Sequence, residues 1–360
     1  MFTPTMDPPT RDEEFYFEDG SCILLVRNRL FNLHRTILSE NSAFFKQMFS
    51  LPQPAIGLSG QSDDDPIRCD DPVDHFRALC HTLYRNLSEP GPKPRTFDGP
   101  AILRVASIAW LAHKYEFVGI ENWAHKAISG SPFDTNILTP EDASSVLEVA
   151  LECTWEDVVA KLATRLLNCI ATDTDKTSRA TASKLSLLLS VAERHNEILI
   201  QASAYYKYLG GNHWNFNTKG EEGIHSSVQL VARIPSTFYS LSSLNDAQKL
   251  CLFRGSAQLS FLQFRLRIPP LFSHSNTKCI ARGHQERCEK TIQETWKQMF
   301  IDCDTCIAPM EILGVAQMIF SDIAQTSANV HLECVQSFTN QITAVEQKLK
   351  LELPKYFGLC

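Results

Sequence analysis

Two hydrophobic runs separated by a polar turn stand near the start of the chain. The run at residues 22–26 is long enough for one buried strand and too short for a core helix. Residues 27–29 are polar and predict a hairpin turn, in which Asn28 tolerates a positive φ. The run at residues 30–34 alternates between apolar and polar positions, which is typical of a return strand. The pattern therefore predicts a β-hairpin at this point.

Helical spacing of apolar residues follows the hairpin, with a proline-rich loop at residues 86–100 and a short strand at residues 67–69. Asp71 is expected to cap the longest of the early helices, which would begin at Pro72. Phe44 and Phe49 are expected in the core. The helical segments predicted in this part of the chain are residues 35–38, 44–49, 71–84, 102–113 and 120–128.

Strand signals largely vanish after residue 140, and successive amphipathic helices are predicted to the end of the chain. No sequence period repeats clearly, so the helices are not predicted to form a solenoid. Residues 1–12 are rich in proline and charge and are expected to be a disordered lead. We therefore expect an α+β domain over residues 14–130 and an all-helical region over residues 140–360.

Composition narrows the class of protein. The 360 residues are 44% hydrophobic and 21% charged, which is typical of a soluble globular protein with two or more domains. The formal net charge of −7 argues against a protein that coats nucleic acid, so no nucleic-acid partner is expected. Neither an apolar run long enough to span a membrane nor a secretory signal is recognisable, so no membrane partner is expected.

The twelve cysteines do not predict disulfides, because no secretory signal accompanies them. Several lie in apolar patterns and are interpreted as small buried hydrophobic residues; they are Cys22, Cys80, Cys153 and Cys169. This pattern favours a reducing compartment, either cytoplasm or nucleus.

Candidate chemistry is sparse. No nucleophile elbow of the G-x-S-x-G type and no glycine-rich phosphate loop occurs, so the chain is not predicted to be an enzyme or to bind an organic cofactor. One cluster has spacings found in tetrahedral zinc sites: His284 and Cys288 are four residues apart, and Cys303 and Cys306 are three apart. A structural zinc ion is one hypothesis for this cluster, and buried thiols on an amphipathic helix are the other.

Aromatic residues crowd the start of the first predicted domain. Phe15, Tyr16 and Phe17 are consecutive and precede the hairpin, so we expect them to lie outside the core. Exposed apolar side chains that cluster mark a surface for a protein partner. These three residues are therefore candidates for an interface.

The stretch DGSCILLVRNRLFNLHRTILSENSAFFKQMF resembles the opening of a BTB (POZ) domain, in which an acidic turn and a hydrophobic hairpin precede "S-x-F-F-x-x-M-F". The resemblance continues through residues 66–84 and 102–128, where "A-x-K-Y-x-F" is matched by residues 112–117. It implies an α+β fold that binds protein partners and pairs with itself as a homodimer. Residues 204–206 and 353–359 resemble the helical C-terminal regions of fungal BTB-domain proteins.

Many BTB proteins are adaptors for cullin-type ubiquitin ligases, and their scaffold motif precedes the helix that matches residues 76–84. This place is occupied here by Asp71-Pro72-Val73-Asp74, so Asp74 and Phe76 become candidate contacts, although Asp71 stands where an apolar anchor is expected. Three hypotheses remain: a self-associating interaction protein whose helical region holds a client, a cullin adaptor, and a zinc-stabilised regulatory protein.

Overall fold

A four-stranded mixed sheet begins the fold. The computed structural model describes residues 8–51, 60–85, 98–131, 137–171, 179–211, 241–269, 285–302, 309–326 and 330–359. The strands are β1 (Thr10–Tyr16), β2 (Cys22–Val26), β3 (Arg29–Leu33) and β4 (Ile67–Cys69). Their order is β1-β3-β2-β4, with β2 and β3 antiparallel and the two outer strands parallel to their neighbours. The predicted hairpin is therefore the centre of the sheet.

Six helices follow in the first part of the chain. They are α1 (Arg35–Asn41), α2 (Ala43–Ser50), α3 (Val73–Arg85), α4 (Gly99–Lys114), α5 (Val118–Ser129) and α6 (Pro140–Glu152). Helices α1 to α5 contribute to the core on one face of this sheet, and α6 packs against α4. Phe31 of β3 lies edge-on to Phe76 of α3, with ring centroids 5.0 Å apart, at the centre of the core. Phe45 is fully buried, whereas Phe44 is 38% exposed and Phe49 is half-buried. The prediction that Phe44 fills the core was wrong, because its helical position faces outward.

Local boundaries differ from the predictions in three places. Strand β1 begins at Thr10, inside the lead predicted to end at residue 12, because β3 supplies partners for Thr10 and Arg11. In the hairpin turn the positive φ of 54° belongs to Arg27 and not to Asn28. Helix α4 begins at Gly99, inside the predicted loop, because Asp98 caps it.

The second part of the chain is helical throughout the residues that the structure describes, apart from short turns and a short 3-10 segment at residues 241–243. Its helices are α8 (Arg179–Arg194), α9 (Ile198–Gly211), α10 (Asp246–Leu266), α11 (Gln285–Asp302), α12 (Pro309–Thr326) and α13 (Leu332–Phe357). Trp296 of α11 is fully buried, and its ring lies near Phe320 and Phe338. Residues 212–240 of the predicted all-helical region lie outside the described residues.

Three connections between consecutive helices share one backbone geometry. Each has a non-glycine residue with a φ of 56° or 57°, followed by an N–H that donates over 2.7–2.8 Å to an alanine carbonyl five residues back. The left-handed residues are Glu116, Thr154 and Asn196, and the acceptors are Ala112, Ala150 and Ala192. This bond pattern is the Schellman motif. The repeated turn cannot be recognised in the sequence, because a different residue type is left-handed in each of the three turns.

Contacts between Cα atoms divide the chain into two units, residues 1–165 and 166–360. The sequence had placed the end of the first domain at residue 130. The later division follows from α6, which packs against α4 within the first unit. The helix α7 (Glu156–Ala171) contains the division point.

Candidate interaction surface

Strand β1 is fastened to helix α3 by a buried carboxylate. Asp12 is 3% exposed and accepts hydrogen bonds from the backbone N–H groups of Glu14 and Phe15, at 3.2 and 3.1 Å. Its other oxygen lies 2.7 Å from the Arg77 guanidinium. These N–H bonds lie in the irregular segment of β1 between Arg11 and Tyr16, where its register with β3 shifts.

The charge of Asp12 is stabilised by these partners. Burial favours the neutral acid, but the Arg77 guanidinium and the N–H groups of Phe15 and Glu14 outweigh it and lower the pKa of Asp12 from its usual value. The carboxylate is therefore ionised at neutral pH, and it is the group that connects the edge strand to the helix.

The three consecutive aromatic residues of the front end separate in the structure. Phe15 is 3% exposed and belongs to the core, so the prediction that it lies outside the core was wrong. Its burial follows from the bend that Asp12 imposes, which turns the ring inward beside His81, at 4.8 Å between centroids. Phe15 is not available to a partner while the domain is folded.

Tyr16 and Phe17 remain half-buried at the surface. The Tyr16 hydroxyl donates to Asp63 over 2.6 Å, and the Arg11 guanidinium lies over its ring and also contacts Asp63. On this face of the sheet, Tyr16 covers a small apolar cluster of Ile23, Leu25 and Leu30. Phe17 packs on the other side, against the rings of His34 and Tyr84. These two aromatic side chains are the ones that can contribute to an interface.

Helix α3 carries both residues predicted to contact a cullin, and their side chains point in opposite directions. The Asp74 side chain is 90% exposed, whereas Phe76 is buried against Phe31. Asp74 borders a cavity of about 410 Å³ between α3 and α4, whose wall also includes Leu103 and Arg104. Only Asp74 of the predicted pair can therefore touch a partner directly.

Asp71, expected to cap α3, is fully buried and serves another purpose. Its carboxylate accepts a hydrogen bond from Lys114 at 2.5 Å and a second from the Tyr115 hydroxyl. Burial and the nearby groups of Cys69 and Asp71 raise the pKa of Tyr115, so its hydroxyl keeps its proton. The sequence showed Lys114 and Tyr115 as part of the motif shared with BTB domains. It did not show that Asp71 is their partner, because 43 residues separate Lys114 from Asp71.

The zinc hypothesis concerns residues of which only one is described. Cys288 lies in α11, where it is buried in the core near Ile292 and Trp296. His284, Cys303 and Cys306 lie outside the described residues, so the predicted ligand set stays a prediction.

An apolar stripe runs along the outer side of α10 in the second unit. Its members are exposed and spaced at i, i+7, i+11, i+14 and i+18; they are Leu250, Ala257, Phe261 and Phe264 of α10 and Ile268, two residues beyond its end. Phe261 and Phe264 are 62% and 59% exposed. Between residues 246 and 268 the chain carries four cations and one anion, the reverse of the net charge of −7. Sequence periodicity predicted this helix but could not tell which apolar face it would bury.

None of the helices among the described residues combines the length and apolar character needed to cross a membrane.

No curated protein and no solved structure matches the chain. A family model described as BTB/POZ domain matches residues 17–96. This match covers β2, β3, α1, α2, β4 and α3, which are three of the four strands of the sheet and the first three helices. The first part of the chain is therefore a BTB/POZ domain, and a mostly helical region follows it.

Proposed function

We propose that this protein is an interaction protein that pairs with a second copy of itself through its BTB/POZ domain and holds a client with its helical region. A BTB/POZ domain is a protein–protein interaction module, and the homodimer and the client are the specific steps of the proposal. The observation that carries the self-association step is the position of β1, which is an outer strand of the sheet.

An outer strand has one backbone edge that pairs with no strand of its own sheet, and such an edge readily accepts a strand of another chain. Strand β1 is the longer of the two outer strands, with seven residues against three in β4. The half-buried side chains of Tyr16 and Phe17 lie at its end. A second copy that adds its own strand here would cover both aromatic rings.

Proline substitution tests this edge. Glu13 is exposed within β1, and Glu13→Pro removes a backbone N–H and fixes φ, so we expect it to abolish dimers. The matched control is Glu18→Pro in the adjoining turn, where the Gly20 N–H bonds the Phe17 carbonyl and proline is tolerated at the second position. Dimers that persist in Glu13→Pro would refute pairing through β1.

The client step is supported by the stripe on α10. Because basic residues flank the apolar stripe, it suits an amphipathic segment of a client in which acidic residues flank the apolar face. The test is affinity capture with the full chain, comparing the unmodified protein with Phe261→Asp/Phe264→Asp and with the control Leu351→Asp, whose leucine is exposed on α13. A client that binds the stripe should be captured by the Leu351→Asp control and not by Phe261→Asp/Phe264→Asp.

A cullin adaptor is the second candidate function, and the exposed Asp74 beside the α3–α4 cavity favours it. Copurification of a cullin-type scaffold that is abolished by Asp74→Lys would support this role. Phe76 is unsuitable for this test because its removal opens the core. A scaffold that copurifies equally with the unmodified protein and with Asp74→Lys would argue against docking at Asp74.

A further inference from the structure

Three potential metal ligands converge from three helices of the first unit. His113 lies in the last turn of α4, Glu121 in the first turn of α5, and Cys153 caps the C-terminus of α6. The imidazole Nδ1 of His113 is 3.3 Å from a carboxylate oxygen of Glu121. One ligand atom from each residue lies within 4.8 Å of the other two.

The three side chains offer a nitrogen, an oxygen and a sulfur ligand, the donor types that zinc accepts in proteins. A tetrahedral site with bonds of about 2.0–2.3 Å has ligands roughly 3.3–3.8 Å apart. The side chains of His113 and Glu121 reach solvent, at 45% and 21% exposure, so small rotations can close the remaining distance. We propose that His113, Glu121 and Cys153 bind a divalent transition-metal ion, with zinc as the natural occupant and water in the fourth position.

Charge supports this assignment. Glu121 and Glu152 both lie near the Cys153 thiol. Two carboxylates beside a thiol create a negative environment, which a cation relieves. On binding, the metal displaces the thiol proton to solvent, and the resulting thiolate and carboxylate balance the two charges of the ion.

The simpler account is a surface ion pair beside an unrelated buried cysteine. An exposed pair such as His113 and Glu121 contributes little to stability, and a buried cysteine needs only apolar neighbours. The two accounts differ in one measurable respect. Only a metal site makes Cys153 and His113 act together on the affinity for an ion.

The proposed site is independent of the dimer and of the client. It is also distinct from the sequence-predicted cluster at residues 284–306, which lies in the second unit. A bound ion would tie together α4, α5 and α6, three helices that follow the residues matched by the family model.

Cobalt titration of the metal-free, full-length protein tests the proposal. Co²⁺ replaces zinc and gives a thiolate-to-metal charge-transfer absorption when a cysteine binds it. All proteins in the test carry Cys303→Ser/Cys306→Ser, which removes two of the three cysteines of the predicted cluster at residues 284–306. We expect saturation at one equivalent, loss of the charge-transfer band in Cys153→Ser, and affinity at least about tenfold weaker in His113→Asn.

The matched control is Cys169→Ser, which changes a half-buried cysteine of α7 and should leave the titration unchanged. Should Cys153→Ser unfold, Glu121→Gln and His113→Asn decide the matter, because both residues reach solvent. The proposal is overturned if no charge-transfer band forms, or if the band and the affinity survive in Cys153→Ser and His113→Asn.

Discussion

Thr154 shows how a single residue can carry strain in this fold. It is exposed and has a φ of 57°, where a β-branched side chain crowds its own backbone. Relief of this crowding, about 1–2 kcal/mol, exceeds the extra chain entropy of glycine, about 0.5–1 kcal/mol. We expect Thr154→Gly to raise the free energy of unfolding by roughly 0.5–1 kcal/mol in urea titrations.

The control for this substitution is Thr154→Ala, which removes the branch but keeps the Cβ atom. It should gain less than Thr154→Gly. A glycine variant no more stable than the alanine variant would mean that the left-handed geometry at residue 154 carries no strain.

Asp12 makes the stability of the first unit depend on pH. The pKa of Asp12 is lowered in the folded chain from 3.8, so its ionised form stabilises the fold at neutral pH. This contribution is fully present above the unfolded pKa and is lost as the pH falls through the folded value. We expect Asp12→Asn, which keeps an oxygen acceptor but removes the charge, to cost roughly 2 kcal/mol at pH 7.

The measurement is urea unfolding of Asp12→Asn and the unmodified protein at pH 7 and at pH 3. The difference between the two proteins should shrink at pH 3, because Asp12 gains a proton there as the chain unfolds. A difference of the same size at both pH values would show that the charge of Asp12 does not act through Arg77.

Burial of individual residues was predictable where periodicity is strong. Helical spacing of apolar residues predicted the helix at residues 71–84, and its Phe76, Leu79 and Leu83 are all buried. Two of the errors concern Phe15 and Asp71, whose positions depend on Arg77 and Lys114, 62 and 43 residues along the chain. Local pattern cannot reveal a contact over such a separation.

At the scale of elements, α10 meets α13 at a glycine. A Cβ atom on Gly255 would lie 1.9 Å from the ring of Phe357, which also stacks on Tyr205. Alanine normally favours a helix over glycine, but here we expect Gly255→Ala to destabilise the second unit by about 1–3 kcal/mol because the ring must move. Thermal unfolding measures the effect.

Gly314 of α12 is the matched control. A Cβ atom there meets nothing within 4 Å, so Gly314→Ala should stabilise the protein by about 0.5–1 kcal/mol through helix propensity alone. If both alanine variants are stabilised, α10 and α13 do not pack closely at Gly255.

Most helices and the central hairpin could be predicted from hydrophobic spacing, because these elements bury one continuous face. Strand β1 could not, since its residues are mostly polar and it forms only by pairing with β3. The shared turn geometry at Glu116, Thr154 and Asn196 was also missed, because hydrogen bonds to the backbone define it and residue types do not.

At the scale of the whole molecule, the two units offer different kinds of surface. The first unit presents a strand edge with the half-buried Tyr16 and Phe17, which suits a second copy of the same chain. The second unit presents the apolar stripe on α10 with basic flanks, which suits a client of opposite charge. The proposed function assigns one partner to each surface.

The mass of the unmodified protein in solution tests this account most directly. Light scattering coupled to size-exclusion chromatography, repeated at micromolar concentrations, reports it without a label. The account predicts a mass twice the 40.6 kDa of one chain. A single-chain mass at every concentration would contradict self-association through the BTB/POZ domain.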